Sequence, residues 1–205
     1  LDSQWEKDVN KWATHSIWVG LFDILIKNKV INNYYQFKHN LPLSESNTIG
    51  FAARCEGRKN PHYLENLDCF IFTNSFEFNT FWKNAVGGNY DKAKIYHYYG
   101  NFKDKFYAMD WGISHSAFTS EPFGYGIFEA VDRGKLPILH STWCKDFEYP
   151  YRVSSKSEFI DIYNKVCNDT YETKNYWFNK IKNYMIDNYS NKQLWIDSLL
   201  NIYNI

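Results

Sequence analysis

The chain has 205 residues, with 23 basic and 23 acidic side chains, so its formal charge is zero. This length suffices for one complete core, or for one domain and part of a second. The neutral balance argues against a protein that binds nucleic acid mainly through its own net charge. No apolar stretch approaches the roughly 18 residues that cross a bilayer, and no signal peptide opens the sequence. We therefore expect a cytoplasmic chain without a membrane partner.

The first 47 residues read as a separate unit. Residues 5–12 and 17–27 show helical apolar spacing. Residues 38–46 are polar and contain a proline, which is typical of a linker.

From residue 48 onward, short apolar runs alternate with helical patterns. Near-continuous apolar strands separated by helices indicate a parallel sheet covered on both faces. The pattern predicts a doubly wound, Rossmann-like α/β domain. The predicted strands are 48–53, 69–72, 95–98, 112–114 and 136–139, and the predicted helices are 61–66, 76–85, 102–109 and 124–133.

The pattern changes after Pro150, where three helices are predicted at 155–167, 171–189 and 191–203. In the second helix an apolar stripe is expected to face the core. Its members are Trp177, Phe178, Ile181, Tyr184 and Met185.

Two glutamates, Glu121 and Glu129, flank the start of the helix predicted at 124–133. Gly124 and Gly126 allow the backbone to approach a ligand closely. Free N–H groups near the helix start, around Phe123, suit an anion or sugar oxygens. Acidic side chains also favour a helix start by themselves, so the spacing alone leaves both interpretations open.

A second stretch places Arg54 and Lys59 in the loop after the first predicted strand. Carboxyl ends of parallel strands border the ligand crevice in open α/β sheets. Arginine offers a planar fork for two phosphate oxygens, and lysine offers a compact charge. The loop is therefore a candidate for neutralising a diphosphate leaving group, although solvated loop charges would look the same.

Together these stretches resemble the retaining glycosyltransferases of the GT-B fold that carry an E-x7-E motif. Five features occur in the order typical of that family. They are the Arg54–Lys59 pair, the Tyr-Tyr-Gly-Asn turn at 98–101, the strand at 109–113, the Glu121–Glu129 motif, and the Gly-to-Pro strand at 134–138.

Within this family the chain is more closely similar to the bacteriophage DNA α-glucosyltransferases. The similarity rests on residues 98–101, on Gly134–Pro137 and on Tyr149–Val153, while the Glu-Pro-Phe-Gly form of the motif departs from those enzymes. It implies transfer of a hexose, glucose, from a UDP-linked donor with retention. The implied acceptor is a hydroxymethylated base in phage DNA, which would place the enzyme in the host cytoplasm.

The resemblance also implies roles for individual residues. The residues expected to act in catalysis are Glu121, which holds the donor sugar, and Arg54 and Lys59, which hold the diphosphate. The residues expected to bind the donor are Glu129 at the ribose, Pro122, Phe123, Gly124 and Tyr125 at phosphate or sugar, and Gly100 and Asn101 beside the base. The family needs no metal or cofactor, with UDP-glucose as co-substrate, and the sequence has no Asp-x-Asp ion site.

The resemblance further implies how the domains are arranged. Residues 1–47 would be the end of an otherwise missing acceptor-side domain plus linker, and 48–190 the donor-binding domain. Residues 191–205 would form a helix that packs back toward the missing domain. A glycan, lipid or protein acceptor, and a non-catalytic nucleotide-binding domain of the same fold, stay open as alternatives. An unrelated α/β hydrolase would need a nucleophile elbow, which the sequence lacks.

Overall fold

The computed structural model describes residues 34–54, 57–73, 88–97, 102–119, 124–193 and 195–197. These residues form a six-stranded parallel sheet with helices on both faces. The strands are β1 (Ile49–Ala52), β2 (Cys69–Thr73), β3 (Ala93–His97), β4 (Ile113–Ser116), β5 (Leu136–His140) and β6 (Arg152–Val153). The helices are α1 (Phe102–Tyr107), α2 (Tyr125–Asp132), α3 (Lys156–Asn168) and α4 (Tyr171–Tyr189).

The strand order is β3-β2-β1-β4-β5-β6, with every neighbouring pair parallel. This order is the one typical of doubly wound, Rossmann-like sheets. The predicted fold class is confirmed at that level. The central strand β1 pairs with β2 on one side and β4 on the other, so the chain reverses its winding direction there.

The two faces of the sheet carry different helices. Alternating side chains point to opposite faces of a strand, and Phe72 of β2 stacks on Phe106 of α1 with ring centroids 5.0 Å apart. Ala130 of α2 joins the same buried cluster. On the opposite face, Tyr63 packs against Phe159 of α3 at 5.3 Å. The domain core therefore consists of one layer of strands between two layers of helix and turn.

Pro137 lies inside β5, where a proline normally removes a ladder hydrogen bond. The N–H of Leu139, two residues later, points toward β6 and donates to Tyr151 O at 3.0 Å. By the two-residue repeat of a strand, the nitrogen of Pro137 faces the same side, before β6 begins. No ladder partner is lost there, so the proline is accommodated within a buried strand.

Residues 34–47, here called the strap, run along the amino ends of the strands. Ser44 N donates to Gly134 O at 2.8 Å, just before β5. A Cβ at Gly134 would lie 2.0 Å from Pro42 O, and the φ of Gly134 is +74°, so only glycine fits there. Part of the strap was predicted as a linker, and it is packed against the sheet.

The buried carboxylate of Asp132, at the end of α2, anchors the strap. It accepts hydrogen bonds from the backbone N–H groups of Lys38, His39 and Asn40 at 2.8–3.1 Å. The Tyr35 hydroxyl donates to the same carboxylate at 3.3 Å. A buried carboxylate requires such partners, and here the backbone of the strap supplies most of them.

Helices α3 and α4 agree with the predicted helices after Pro150, and both begin at a side-chain cap. Ser155 accepts from Glu158 N at 3.3 Å, and Thr170 accepts from Thr173 N at 3.2 Å. The predicted apolar stripe of α4 faces the core, with Phe178, Ile181 and Met185 fully buried and Trp177 and Tyr184 partly buried.

Two elements differ from the predictions. The helix predicted at 61–66 forms only as a 3-10 turn, Pro61–Leu64, which follows a second 3-10 turn, Gly57–Lys59. The left-handed residues Asn60 and Asn66, at φ 51° and 65°, bound the turn at Pro61–Leu64 on both sides and prevent a longer helix. Strand β6 was not predicted, since two residues carry no periodic signal. The helix predicted at 76–85 lies outside the described residues, as does most of 191–203.

Candidate functional site

The reversal between β1 and β4 is where a doubly wound sheet is expected to leave a ligand crevice, at the carboxyl ends of the strands, and this region is called the crevice below. In a doubly wound sheet, the loops that follow two such strands diverge to opposite faces and leave a ligand site between them. The described residues of the β1 loop are Ala53, Arg54 and the 3-10 turn Gly57–Lys59, and those of the β4 loop are 117–119 and Gly124. The residues predicted to bind a diphosphate belong to these two loops.

The two loops are joined by hydrogen bonds to backbone carbonyls. Thr119 donates to Arg58 O from both its N–H, at 2.8 Å, and its hydroxyl, at 3.0 Å. Asn60 donates from its side-chain amide to Ala117 O at 2.8 Å. The base of the crevice is thus a connected structure, and a ligand would meet a prearranged surface.

His115 lies in β4 directly under this junction and is fully buried. Its Nε2 is 2.9 Å from Asn60 O, and its Nδ1 is 3.4 Å from Ala117 N. A carbonyl only accepts, so Nε2 carries the hydrogen and Nδ1 is the acceptor. Burial lowers the pKa of His115 to about 3. The imidazole is therefore neutral at physiological pH and does not provide positive charge to the crevice.

The β1 loop carries three cationic residues. Lys59 is 8% exposed, and its ammonium lies 4.5 Å from the centre of the Phe118 ring. Arg54 and Arg58 are exposed on the same loop. The predicted pair Arg54 and Lys59 thus occupies one loop, with Lys59 held inside and Arg54 facing solvent. A cation over an aromatic ring is stabilised by the ring's quadrupole even where water is excluded.

Helix α2 begins at the opposite wall of the crevice. Gly124 is its N-cap residue, at φ 80°, and supplies no side-chain cap. A Cβ at Gly126 would lie 3.4 Å from Ala52 O, so the first turn of α2 packs close to the end of β1. Tyr125, the first helical residue, is 43% exposed. The first N–H groups of a helix lack carbonyl partners within it and favour an anion.

Glu129 lies one turn into α2, and the structure gives it a partner that the sequence did not predict. Its carboxylate forms an ion pair with Lys103, in the first turn of α1. Both side chains are partly exposed, at 25% and 41%. The only sequence signal for Lys103 was its position directly after the turn at 98–101. The Glu129 carboxylate, which was predicted to bind a ribose, therefore forms an ion pair with Lys103.

Several predicted site residues lie outside the described part of the chain. They are Glu121, Pro122, Phe123, Gly100 and Asn101. The described flanks of these segments are the start of α1 and the start of α2. His115 and Asn60, in contrast, were given no role in the sequence-based site. The one sequence feature that pointed to this pair was His115, a histidine among the small residues of a buried strand.

Other chemistries find little support among the described residues. No three or more His, Cys, Asp or Glu side chains there are grouped to hold a metal ion. Cys69, Cys144 and Cys167 are free thiols, and burial raises the pKa of Cys69 to about 12. A thiol with a raised pKa is a poor nucleophile. No described helix combines the length and apolar character needed to cross a membrane.

Comparison with known proteins does not assign the chain to a family. No protein-family model matches the sequence, and no curated protein matches it.

Proposed function

We propose that the crevice binds the diphosphate of a nucleotide sugar, and that the chain is the donor-binding part of a retaining glycosyltransferase. One observation carries this proposal. At the point where the sheet reverses its winding, the end of β1 lies against the first turn of α2, with Ala52 O 3.4 Å from the Cβ position of Gly126, and Lys59 of the following loop lies over Phe118. Cationic side chains and a helix start together form a surface suited to phosphate oxygens.

The proposed chemistry follows from the charge that develops during transfer. As an acceptor hydroxyl attacks the anomeric carbon, the bond to the diphosphate breaks and negative charge grows on the leaving oxygens. Arg54 and Lys59 stabilise that charge, and their effect is stronger in a site that excludes water. Lys59, at 8% exposure, lies where such an effect is largest. Retention of configuration is taken from the resemblance to the family.

The remaining roles are assigned to the nucleoside and the sugar. Glu121 holds hydroxyls of the donor sugar, and Gly100 and Asn101 border the base. Glu129 binds the ribose, where the hydroxyls share or replace the contact that its carboxylate makes with Lys103. An exposed ion pair is worth only about 0–1 kcal/mol, so exchanging this partner costs little.

For the donor we propose UDP-glucose, and for the acceptor a hydroxymethylated base in phage DNA, from the likeness at residues 98–101 and 149–153. A glycan, lipid or protein acceptor is the alternative within the same reaction. A non-catalytic nucleotide-binding domain is the alternative outside it. Consumption of the donor distinguishes a glycosyltransferase from a non-catalytic nucleotide-binding domain, since only an enzyme consumes the donor.

The test of the diphosphate site is a calorimetric titration with UDP, other nucleoside diphosphates and uridine. Lys59→Ala should weaken UDP binding by roughly 1.5–3 kcal/mol, a ten- to hundredfold change, and leave uridine nearly unaffected. Lys135→Ala is the matched control. Lys135 is also buried, at 5% exposure, with its ammonium 4.7 Å from the Trp111 ring, but it lies just before β5 at the amino ends of the strands.

We expect Lys135→Ala to lower stability and to leave the affinity for UDP unchanged. If wild-type protein binds none of the common nucleoside diphosphates at millimolar concentration, the proposed function is wrong. Equal weakening of UDP by both substitutions would place the diphosphate elsewhere.

A further inference from the structure

Asn60 and His115 form a polar pair beneath the crevice that the proposed function does not use. We propose that they are positioning residues, which hold the turn that carries Lys59 in the conformation that binds a diphosphate. The inference rests on the proposed function and adds to it the reason why the cation is correctly placed. It is carried by the contacts around Asn60.

Asn60 adopts a left-handed conformation, with φ 51° and ψ 42°. Residues with a Cβ rarely adopt this conformation, although asparagine tolerates it better than most. Four hydrogen bonds hold Asn60 there, one of them from Tyr63 N to the Asn60 carbonyl at 3.0 Å. Its side-chain amide donates to Ala117 O at 2.8 Å, its N–H donates to Gly57 O at 3.0 Å, and its carbonyl accepts from His115 Nε2 at 2.9 Å.

His115 is itself held in one orientation. The rings of Tyr63, Phe159 and Phe118 lie with centroids 5.7, 4.7 and 5.9 Å from the imidazole. Its Nδ1 accepts from Ala117 N, so the Nε2–H is directed at Asn60 O. Since, among the described residues, Asn60 O is the acceptor within reach of the Nε2–H, the donor is preorganised.

Lys59 directly precedes Asn60, and its position depends on this arrangement. The turn Gly57–Lys59 ends at the fixed residue, and the Lys59 ammonium lies against Phe118 of the β4 loop. A prearranged cation avoids the ordering cost of binding. If the hydrogen bonds to Asn60 were lost, the turn would sample other conformations, and the contribution of the diphosphate to affinity would fall. Contacts with the nucleoside would be retained.

The experiment measures the ratio of the dissociation constants for uridine and UDP, which isolates the contribution of the diphosphate. His115→Leu retains an apolar side chain but removes the donor, whereas His115→Gln supplies an amide donor near the position of Nε2. We expect His115→Leu to lower the ratio about tenfold and His115→Gln to restore most of it. A purely packing role would give no rescue, because both substitutions alter the ring contacts.

A second pair of variants protects the test against a failure to fold. Asn60→Gly keeps the left-handed conformation and removes the side-chain bond to Ala117. Asn66→Gly is its matched control. Asn66 is also left-handed, at φ 65°, but it is exposed and lies outside the turn that carries Lys59. We expect the ratio to fall in Asn60→Gly and to be unchanged in Asn66→Gly, with thermal unfolding confirming that each variant is folded.

The outcomes distinguish the inference from the function on which it rests. If wild-type protein binds UDP and the folded Asn60→Gly and His115→Leu variants keep the wild-type ratio, the inference is overturned and the function stands. An equal loss in His115→Leu and His115→Gln would overturn the role of the His115 donor. If wild-type protein binds no nucleoside diphosphate, the proposed function itself fails.

Discussion

His115 links the candidate site to the stability of the fold through its protonation. Burial lowers its pKa from about 6.5 to about 3, and its neighbours do not reverse this effect. Besides aromatic rings, the titratable groups near it are Tyr63, whose ring stacks on the imidazole, and His62, whose charge disfavours protonation further. The folded state therefore binds no proton here under conditions where the unfolded chain does.

We predict that the free energy of unfolding falls in acid partly because of this group. Below pH about 6.5 the unfolded chain takes up a proton at His115 and the folded chain does not. Stability contributed by the neutral imidazole is thus complete above pH 6.5 and decreases as the pH falls toward 3. The slope for one such group is about 1.4 kcal/mol per pH unit.

The measurement is urea unfolding of wild-type and His115→Gln protein at several values between pH 7 and pH 4. The free energy of unfolding of the wild-type protein should fall more steeply with decreasing pH than that of His115→Gln, since glutamine does not titrate. Other histidines, such as His62 and His140, are common to both chains and cancel. Parallel pH profiles would show that His115 takes up its proton at the same pH in the folded protein as in the unfolded chain.

At the scale of elements, α2 has a different role at each end. Its first turn, from Gly124, lies at the crevice, while Asp132 at its last turn anchors the strap. The strap is held from a second side by α4, where the Lys182 ammonium donates to Leu41 O at 3.0 Å. Asp132 and Lys182 are both buried charged side chains. Detaching the strap would leave them without hydrogen-bond partners, which costs free energy because water does not solvate them.

We predict that Asp132→Asn lowers the free energy of unfolding by about 2–3 kcal/mol, because an amide loses charge-assisted bonds to three N–H groups. Asp104→Asn is the control. Asp104 also pairs with one partner near the end of α2, Arg133 at 2.8 Å, but its side chain is 72% exposed. Its loss should cost less than about 1 kcal/mol. Denaturant titration of both variants checks the difference, and equal costs would mean that the strap is not held through Asp132.

At the scale of the whole molecule, the parallel sheet separates binding from anchoring. All strands point the same way, so every loop that follows a strand lies at one edge and every loop that precedes one lies at the other. The crevice occupies the first edge. The strap, with its bonds to Gly134 and Asp132, occupies the second. The hydrogen bonds of the strap and those between the two crevice loops share no side chain, while the Tyr35 ring of the strap lies 6.4 Å from the Tyr125 ring at the start of α2.

We predict that substitutions at the two edges act independently. Asp132→Asn should lower stability without changing the affinity for UDP, when binding is measured well below the unfolding temperature. Lys59→Ala should lower affinity, and the double variant should show the sum of the two stability changes within about 0.5 kcal/mol. A loss of UDP affinity in Asp132→Asn would contradict this and would indicate that α2 transmits strain between its ends.

Much of the architecture was predictable from local patterns. Near-continuous apolar runs such as 136–139 predict buried parallel strands, and the caps Ser155 and Thr170 mark two helix starts, so those elements agree with the structure. The loop at 57–64 was less predictable. Residues 61–66 were predicted as a helix, but the left-handed Asn60 that precedes them is stabilised by His115 and Ala117, which are more than fifty residues away. The residues next to Asn60 in the sequence do not predict that contact.

The sequence by itself determined the fold class, because strand periodicity is a local property, and it proposed Arg54, Lys59, Gly124 and Glu129 as candidate site residues. Only the tertiary structure decided which of these groups are buried and which are paired. The Phe118 ring under Lys59, the Lys103 partner of Glu129 and the neutral His115 beneath Asn60 all come from elements distant in sequence. Burial and charge pairing depend on the environment that folding assembles around a side chain, and that environment sets its solvation and therefore its chemistry.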